Sequence, residues 1–398
     1  MMGSQFLIMM NYDKLLNPVI VAEKPSGIRR FFDLASTMQD CIVLGVGEPD
    51  FKTPWAIREA GITSLEKGRT FYTSNSGLIQ LRQEICRYLD RRFDLHYELD
   101  EVMVTVGGSE GIDTCMRAVL CPGDEVIIPY PSYVSYGPMA HLAGATVVPL
   151  NTKAENSFRI TAEELKAAIT SKTKLLVLPY PSNPTGAVMR KEHLEEIAEV
   201  LRGTDILVMS DEIYAELTYG SERHVSIASL EGMKERTILI NGFSKAHAMT
   251  GWRLGYACGP KPVLQQMLKI HQYGIMSAPT TSQYAAIVAL SQCDDAVEEM
   301  RTQYDLRRKF LTSELKRIGM PSYDADGTFY VFADIRASGL SSEEFCERLM
   351  YEKRVVVVPG TAFGDAGEGF VRISYSYSID HIQQALRRME EFMNEVRK

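Results

Sequence analysis

Between about Trp55 and Ala289 the chain alternates short, nearly unbroken apolar runs with segments of helical periodicity, and this alternation narrows the folds open to it. Seven runs read as strands: Val102–Val106, Glu125–Pro129, Thr146–Pro149, Lys174–Pro179, Ile206–Ser210, Thr237–Ile240 and Leu254–Cys258. A strand with one wet face alternates apolar and polar residues, and most of these do not. Continuous apolar runs fit strands covered on both faces, as in a parallel sheet between two layers of helices. The expectation is an α/β domain built on a mostly parallel seven-stranded sheet. Ligands of such sheets bind beyond the carboxyl ends of the strands, so the chemistry is sought there.

The flanks have a different texture. A helix is expected from about Lys24 to Thr37, with Ile28, Phe31, Phe32 and Ala35 as its apolar stripe, followed by a strand over Cys41–Val46. Beyond Asp294 come a long helix (Ala296–Ile318), strands at Thr328–Asp334, Val355–Pro359 and Phe370–Ser374, a helix near Ser341–Glu352, and a closing helix. These segments predict a smaller α+β domain from residues 1–46 and 293–398, around a large domain of residues 47–292. Gly45-Val46-Gly47-Glu48-Pro49-Asp50 falls one residue short of the dinucleotide fingerprint, and Pro49 leaves no helix start in the needed place; a Rossmann site is set aside.

Composition excludes more than it assigns. With 398 residues the chain is long enough for two domains, and a net charge of -8 without a basic block offers no general attraction to nucleic acid. The seven cysteines are odd in number, scattered and free of C-x-x-C pairs, which predicts reduced thiols and a cytoplasmic setting. No apolar run approaches the ~18 residues of a membrane span. The opening residues Met1–Met10 lack the basic start of a secretory signal. The histidines have no H-E-x-x-H spacing, so no metal is expected.

The strand ends carry unusual residues. Val102–Val106 runs into Gly107-Gly108-Ser109-Glu110-Gly111 and then a helix; a helix N-terminus after a glycine turn offers free N–H groups to an anion, with Gly108, Ser109 and Glu110 as contact positions. The same residues spell G-x-S-x-G, the nucleophile elbow of a serine hydrolase, for which Ser109 would need a histidine such as His381. Tyr133, past the next strand, offers an aromatic face to a flat ring or simply packs a loop. In Tyr180-Pro181-Ser182-Asn183-Pro184 two X-Pro steps stiffen the backbone around one amide, although the stretch also reads as a plain turn. Asp211 comes just past the strand Ile206–Ser210, where it either caps a helix or faces a ligand; Tyr214 follows three residues later.

Lys245 sits among Phe243, Ala246, Ala248 and Met249. A lysine held among apolar groups loses proton affinity, becomes nucleophilic near pH 7 and can form a Schiff base with a carbonyl. A lysine snorkelling beside a glycine-rich turn is the competing reading. Arg372 lies inside the apolar run Phe370–Ser374, where a guanidinium needs an anionic partner, either a protein carboxylate or that of a substrate.

Ser244-Lys245 followed by Ala248-Met249-Thr250-Gly251-Trp252-Arg253-Leu254-Gly255-Tyr256 resembles the pyridoxal-phosphate attachment segment of class I/II aminotransferases, in the branch of aspartate and aromatic aminotransferases. Recognisable segments run from about Gly45 to Ser374. The resemblance implies fold type I and pyridoxal 5'-phosphate held by Lys245, which then serves as general base. It implies that Asp211 keeps the pyridine nitrogen protonated, that Asn183 and Tyr214 bond the ring oxygen, and that Tyr133 stacks on the ring. It places Arg253 on the phosphate and Gly47, Asn183 and Arg372 at the substrate carboxylate. Tyr72, in Phe71-Tyr72-Thr73-Ser74, would reach the phosphate in the neighbouring subunit of a homodimer with shared sites. Relatives often carry a phosphate-binding serine where this chain has Gly242, so a phosphate role for Ser244 is left open. The expected reaction moves an amino group from an L-amino acid to a 2-oxo acid, 2-oxoglutarate foremost, in ping-pong order. Aromatic or broad-range donors are favoured over aspartate, because Ser109 stands where some aspartate-preferring relatives have a lysine. A carbon–sulfur lyase of the same fold is the alternative chemistry.

Overall fold

The structure, a computed structural model, describes residue 10, residues 12–25, residue 27 and residues 38–397; the stripe Ile28, Phe31, Phe32 and Ala35 lies outside the described residues. A short strand β1 (Ile42–Val43) precedes the large sheet. That sheet consists of β2 (Val102–Thr105), β3 (Glu125–Tyr130), β4 (Thr146–Asn151), β5 (Thr173–Leu178), β6 (Leu207–Asp211), β7 (Thr237–Gly242) and β8 (Gly255–Cys258). Its order is β2-β8-β7-β6-β5-β3-β4, and every pairing is parallel except the two made by β8. The exception follows from connectivity. Parallel neighbours need a crossover, whereas β7 returns into β8 through residues 243–254 with no α-helix between, so the two must run antiparallel. The Lys245 stretch is this return loop, closed by Phe243 N–H donating to the Leu254 carbonyl at 3.3 Å.

Both faces of the sheet are dry over β2, β3 and β5–β8, as unbroken runs require, whereas the edge strand β4 buries only Leu150 and leaves Thr146, Pro149 and Asn151 exposed. Ile238 and Ile240 of β7 pack with Ile112, Met116 and Met267 on one face; Leu239 between them packs with Leu81, Ile85 and Ala286 on the other. The helix Gly107–Val119 lies close on β7 because Gly111 has no side chain: a Cβ there would stand 3.2 Å from Ile240 Cδ1.

The C-terminal part forms a second, smaller α+β unit. Strands β9 (Tyr330–Asp334), β10 (Val355–Val356), β11 (Val358–Pro359) and β12 (Phe370–Ser374) divide between two small sheets. The run expected as one strand over 355–359 is split, because β10 pairs in parallel with β1 while β11 turns to pair antiparallel with β12. The β1–β10 ladder joins residues 42–43 to the C-terminal unit. Helices Asp294–Arg317, Ser342–Lys353 and Ile379–Val396 pack here through Leu311, Leu349 and Phe392. The last two are capped by Ser341 and Ser378, whose side chains accept N–H bonds from Glu344 and His381. The segment after β1 is irregular up to a helix starting at Trp55, so no helix N-terminus opens at Pro49. All seven cysteines are free thiols, and among the described residues no helix is long and apolar enough to cross a membrane.

Candidate active site

The parallel strands β2, β3, β5, β6 and β7 end on one side of the sheet, where a cavity of about 620 Å³ opens between them and the β9–β12 unit. It is lined by residues following those strands together with Gly45, Gly47 and Glu48 and, from the small unit, Tyr330 and Arg372. Gly47, Gly108, Ser109, Tyr133, Asn183, Asp211, Tyr214, Lys245, Arg253 and Arg372 all line this one cavity, so ten expected site residues converge there.

The Lys245 amine donates a hydrogen bond to the Gly47 carbonyl at 2.6 Å and lies 5.7 Å from the ring centres of both Tyr214 and Phe329. Burial pulls its pKa down to about 8; Arg372 and Arg253 push the same way, while Glu48 and Asp211 oppose. It is a half-buried amine on the cavity wall with its proton affinity lowered by desolvation, not a snorkelling surface lysine.

Asp211 is buried at the end of β6, and desolvation raises its carboxyl above the ordinary carboxylate range. Two hydrogen bonds resist that rise: Tyr136 Oη donates to Oδ2 at 2.6 Å, and Ile213 N–H donates to Oδ1 at 3.2 Å. The Ile213 bond is an Asx turn, so the capping reading holds in part, but no helix follows. The Tyr214 hydroxyl meets that of Tyr330 at 3.2 Å, and burial holds its pKa well above the ordinary phenol value.

The anion side is built from backbone. The helix Gly107–Val119 opens at the cavity with Gly108 and Ser109 on its wall. Gly107 takes φ +77°, and a Cβ on it would stand 2.7 Å from Arg253 Nη2, so the guanidinium rests directly on the first turn. Arg253 also donates to the Thr250 carbonyl at 3.0 Å. A Cβ at Gly242 would be closely fitted, 3.0 Å from Gly255 Cα and 3.1 Å from the Leu254 carbonyl oxygen, so a side chain there requires its neighbours to give by a few tenths of an ångström. Ser244 lines the cavity instead.

Arg372 is buried on β12 without a carboxylate partner among the described residues. Its Nη1 donates to Asn183 Oδ1 at 2.8 Å and its Nη2 to the Gly45 carbonyl at 2.6 Å, while Nε has no partner. Its guanidinium lies 4.3 Å from the Tyr330 ring centre and 4.8 Å from that of Phe363. Neutral oxygens leave the positive charge uncompensated, and desolvation lowers its pKa. A fork held this way is prepared for an incoming carboxylate.

Three expected positions behave differently. The Glu110 carboxylate is turned away from the cavity: it accepts the Val106 N–H and meets His271 Nδ1 at 2.6 Å. Tyr72 is 80% exposed and does not line the cavity. His381 lies exposed on the closing helix beside Tyr377, and no histidine lines the cavity with Ser109, so the histidine that the hydrolase reading called on is not there. Sequence reasoning assigned no role to Tyr136 or Tyr330. Tyr136 stood in the quoted Pro131–Tyr136 stretch, but nothing local linked it to Asp211; Tyr330 reads as an ordinary strand residue.

The residues present suit pyridoxal 5'-phosphate: an amine of low proton affinity, a buried carboxylate lacking a cation, an anion cradle with an arginine, and a tyrosine face at Tyr133. The family model described as Aminotransferase class I and II matches residues 39–389. A putative aminotransferase, YugH, of Bacillus subtilis (strain 168) is 52% identical over 372 residues, 93% of this chain and 96% of the relative. The aspartate aminotransferase of Pyrococcus abyssi (strain GE5 / Orsay) is 45% identical, with 93% and 96% covered. The crystal structure of an aromatic aminotransferase from Pyrococcus horikoshii OT3 superposes with a TM-score of 0.88 at 44% identity, covering 92% of this chain and 99% of that one.

Proposed function

The chain belongs to the class I and II aminotransferases, and from that premise we propose that it transfers the amino group of an L-amino acid to a 2-oxo acid, 2-oxoglutarate foremost, with pyridoxal 5'-phosphate as cofactor. The observation that carries the reading is the meeting of Lys245, Asp211 and Arg372 in one cavity. When bound, the cofactor supplies a carbonyl carbon and an electron-withdrawing ring. Asp211 holds a proton at the ring nitrogen, Tyr214 and Asn183 donate to the ring oxygen, and Tyr133 covers the ring face. Gly108 and Ser109 N–H groups with Arg253 hold the phosphate. Arg372 and Asn183, beside Gly47, orient the substrate carboxylate, which fixes the α-hydrogen relative to Lys245. With the cofactor bound, the Lys245 amine would be the base that takes that proton from the α-carbon and the acid that gives it back. Its low proton affinity suits it to both steps. Two half-reactions sharing one site give ping-pong kinetics.

Aromatic or broad-range donors are favoured. The cavity wall carries Tyr133, Tyr136, Tyr214 and Tyr330, and its basic groups Lys245, Arg253 and Arg372 all have duties already. Ser109 adds no cation for a second carboxylate. The exposed Phe71 and Tyr72, 81% and 80% accessible, support a homodimer in which Tyr72 serves the neighbouring site.

An absorption spectrum tests the reading. The purified protein should be yellow, bleach with phenylalanine or tyrosine, and recover its colour with 2-oxoglutarate. Bleaching by aspartate with a kcat/KM orders of magnitude higher would overturn the donor preference. Release of pyruvate and ammonia from cystathionine would instead assign a lyase, and failure to take up the cofactor would remove the proposal.

A further inference from the structure

Tyr330 is a fully buried side chain that touches both working ends of the cavity. It stands on β9, where its register partner is Ser374, two residues beyond Arg372 on β12. Its ring face lies 4.3 Å from the Arg372 guanidinium, and its hydroxyl lies 3.2 Å from that of Tyr214, which belongs to the turn after β6. The hydroxyl occupies space that any side chain on residue 47 would fill: a Cβ on Gly47 would stand 2.7 Å from it. The carbonyl of the same Gly47 accepts the Lys245 amine. One residue of the small unit thereby meets the aromatic hydroxyl of the large unit, the carboxylate-binding arginine and the segment that restrains the lysine.

We propose that Tyr330 is a positioning residue with two separable duties: its hydroxyl orients that of Tyr214, and its ring holds the Arg372 fork in place. The first duty follows from proton counting. Two neutral phenols carry one O–H each. If Tyr214 gives its proton to an anionic oxygen of the cofactor, the bond between the two tyrosines is made by Tyr330 donating to Tyr214. A donor that is itself accepting is strengthened by polarisation along the chain. The second duty follows from desolvation. Arg372 has no anion to fix it, its Nε is unpaired, and the Tyr330 and Phe363 faces supply the attraction that its two neutral acceptors leave unfilled. Tyr214, Arg372, Tyr133, Glu48 and Tyr377 are the titratable groups that act most on Tyr330, and all but Tyr377 line the cavity.

The inference rests on the proposed cofactor reading, and the test separates the two. In Tyr330→Phe the ring stays and only the hydroxyl goes. Tyr214 then donates less strongly, negative charge stays concentrated on the cofactor oxygen, and a proton beside that oxygen is held more firmly. The pH midpoint of the bound cofactor's visible absorption should rise by roughly half a unit. KM for the amino donor should stay within about twofold, because the ring still carries Arg372. In Tyr330→Leu the platform is lost as well, and KM should rise roughly tenfold. A midpoint unmoved in Tyr330→Phe refutes the hydroxyl duty, and that variant alone decides it if the leucine variant does not fold. Equal KM in the phenylalanine and leucine variants refutes the ring duty. A colourless wild-type protein overturns the cofactor reading and this inference with it, whereas a coloured wild type with an unmoved variant overturns only the latter.

Discussion

Replacing Tyr136 by phenylalanine should change how the cofactor-free protein takes up pyridoxal phosphate, and the change should itself depend on pH. Tyr136 is buried, and its hydroxyl makes the shorter of the two hydrogen bonds to Asp211, 2.6 Å against 3.2 Å for the Ile213 N–H. A hydrogen bond to a charged group contributes about 2 kcal/mol, so its loss should favour the neutral carboxyl by about thirtyfold. The ring remains and fills the same space, so the perturbation is confined to this bond. Asp211 must be ionised to hold a proton on the ring nitrogen, and burial already pushes its carboxyl upward. At high pH both proteins carry the carboxylate, before and after binding, and the two affinities should agree. As pH falls, the variant loses its carboxylate first and the ratio of dissociation constants should climb towards about thirtyfold. Titration of both proteins by absorbance across a pH series measures that ratio, in which the cofactor's own protonation steps cancel. A ratio that is constant with pH would mean that the hydroxyl shapes the pocket without acting on Asp211.

Other consequences are as direct. Asp211→Asn should make the cofactor-free protein more stable at neutral pH, by about 1–3 kcal/mol for relief of a desolvated charge, while abolishing turnover. Because the folded-state pKa of Asp211 is raised, its ionised form costs stability above that pKa and the cost vanishes below about pH 4; melting curves of variant and wild type should therefore converge on acidification. Lys245 in the cofactor-free protein should react with an acylating reagent at a rate that rises through a midpoint of about 8, well below exposed lysines; a midpoint above 10 would mean that burial does not tune it. Lys245→Ala should fold and fail to turn over, and multiple turnover near the wild-type rate would remove its role. Glu110→Ala should weaken pyridoxal phosphate by about tenfold without affecting unphosphorylated pyridoxal, because the first turn loses its tie to Val106 and His271, and Glu110→Gln should restore binding. Equal losses for both compounds would show a general defect.

Much of this architecture can be read from the chain because the relevant physics is local. An unbroken apolar run states that both faces of a strand are dry; the large sheet is formed by the seven expected runs, and the one at its edge, β4, is the one that stays largely exposed. The same signal cannot say where a strand changes partner, and the single run at 355–359 proved to serve two sheets. Strand ends also moved by a residue or two: Asp211, expected just past a strand, completes β6.

The site divides along a similar line. Lys245 and Arg372 stand out because each is a cation inside an apolar sequence, a conflict that only a partner or a function resolves. The residues that hold the site in order create no such conflict. Tyr136 meets Asp211 across 75 positions, Tyr330 meets Tyr214 across 116, and His271 meets Glu110 across 161. A tyrosine or histidine in a core segment satisfies the local pattern whether its polar atom bonds a catalytic group or a passing carbonyl. Burial demands that such an atom find a partner, and the sheet order alone decides which partner is within reach. Glu110 shows the converse. Its place in the first turn of the helix suggests an anion contact, but its carboxylate accepts the Val106 N–H and meets His271, which the local pattern does not show, and the cavity wall is left to Gly108 and Ser109.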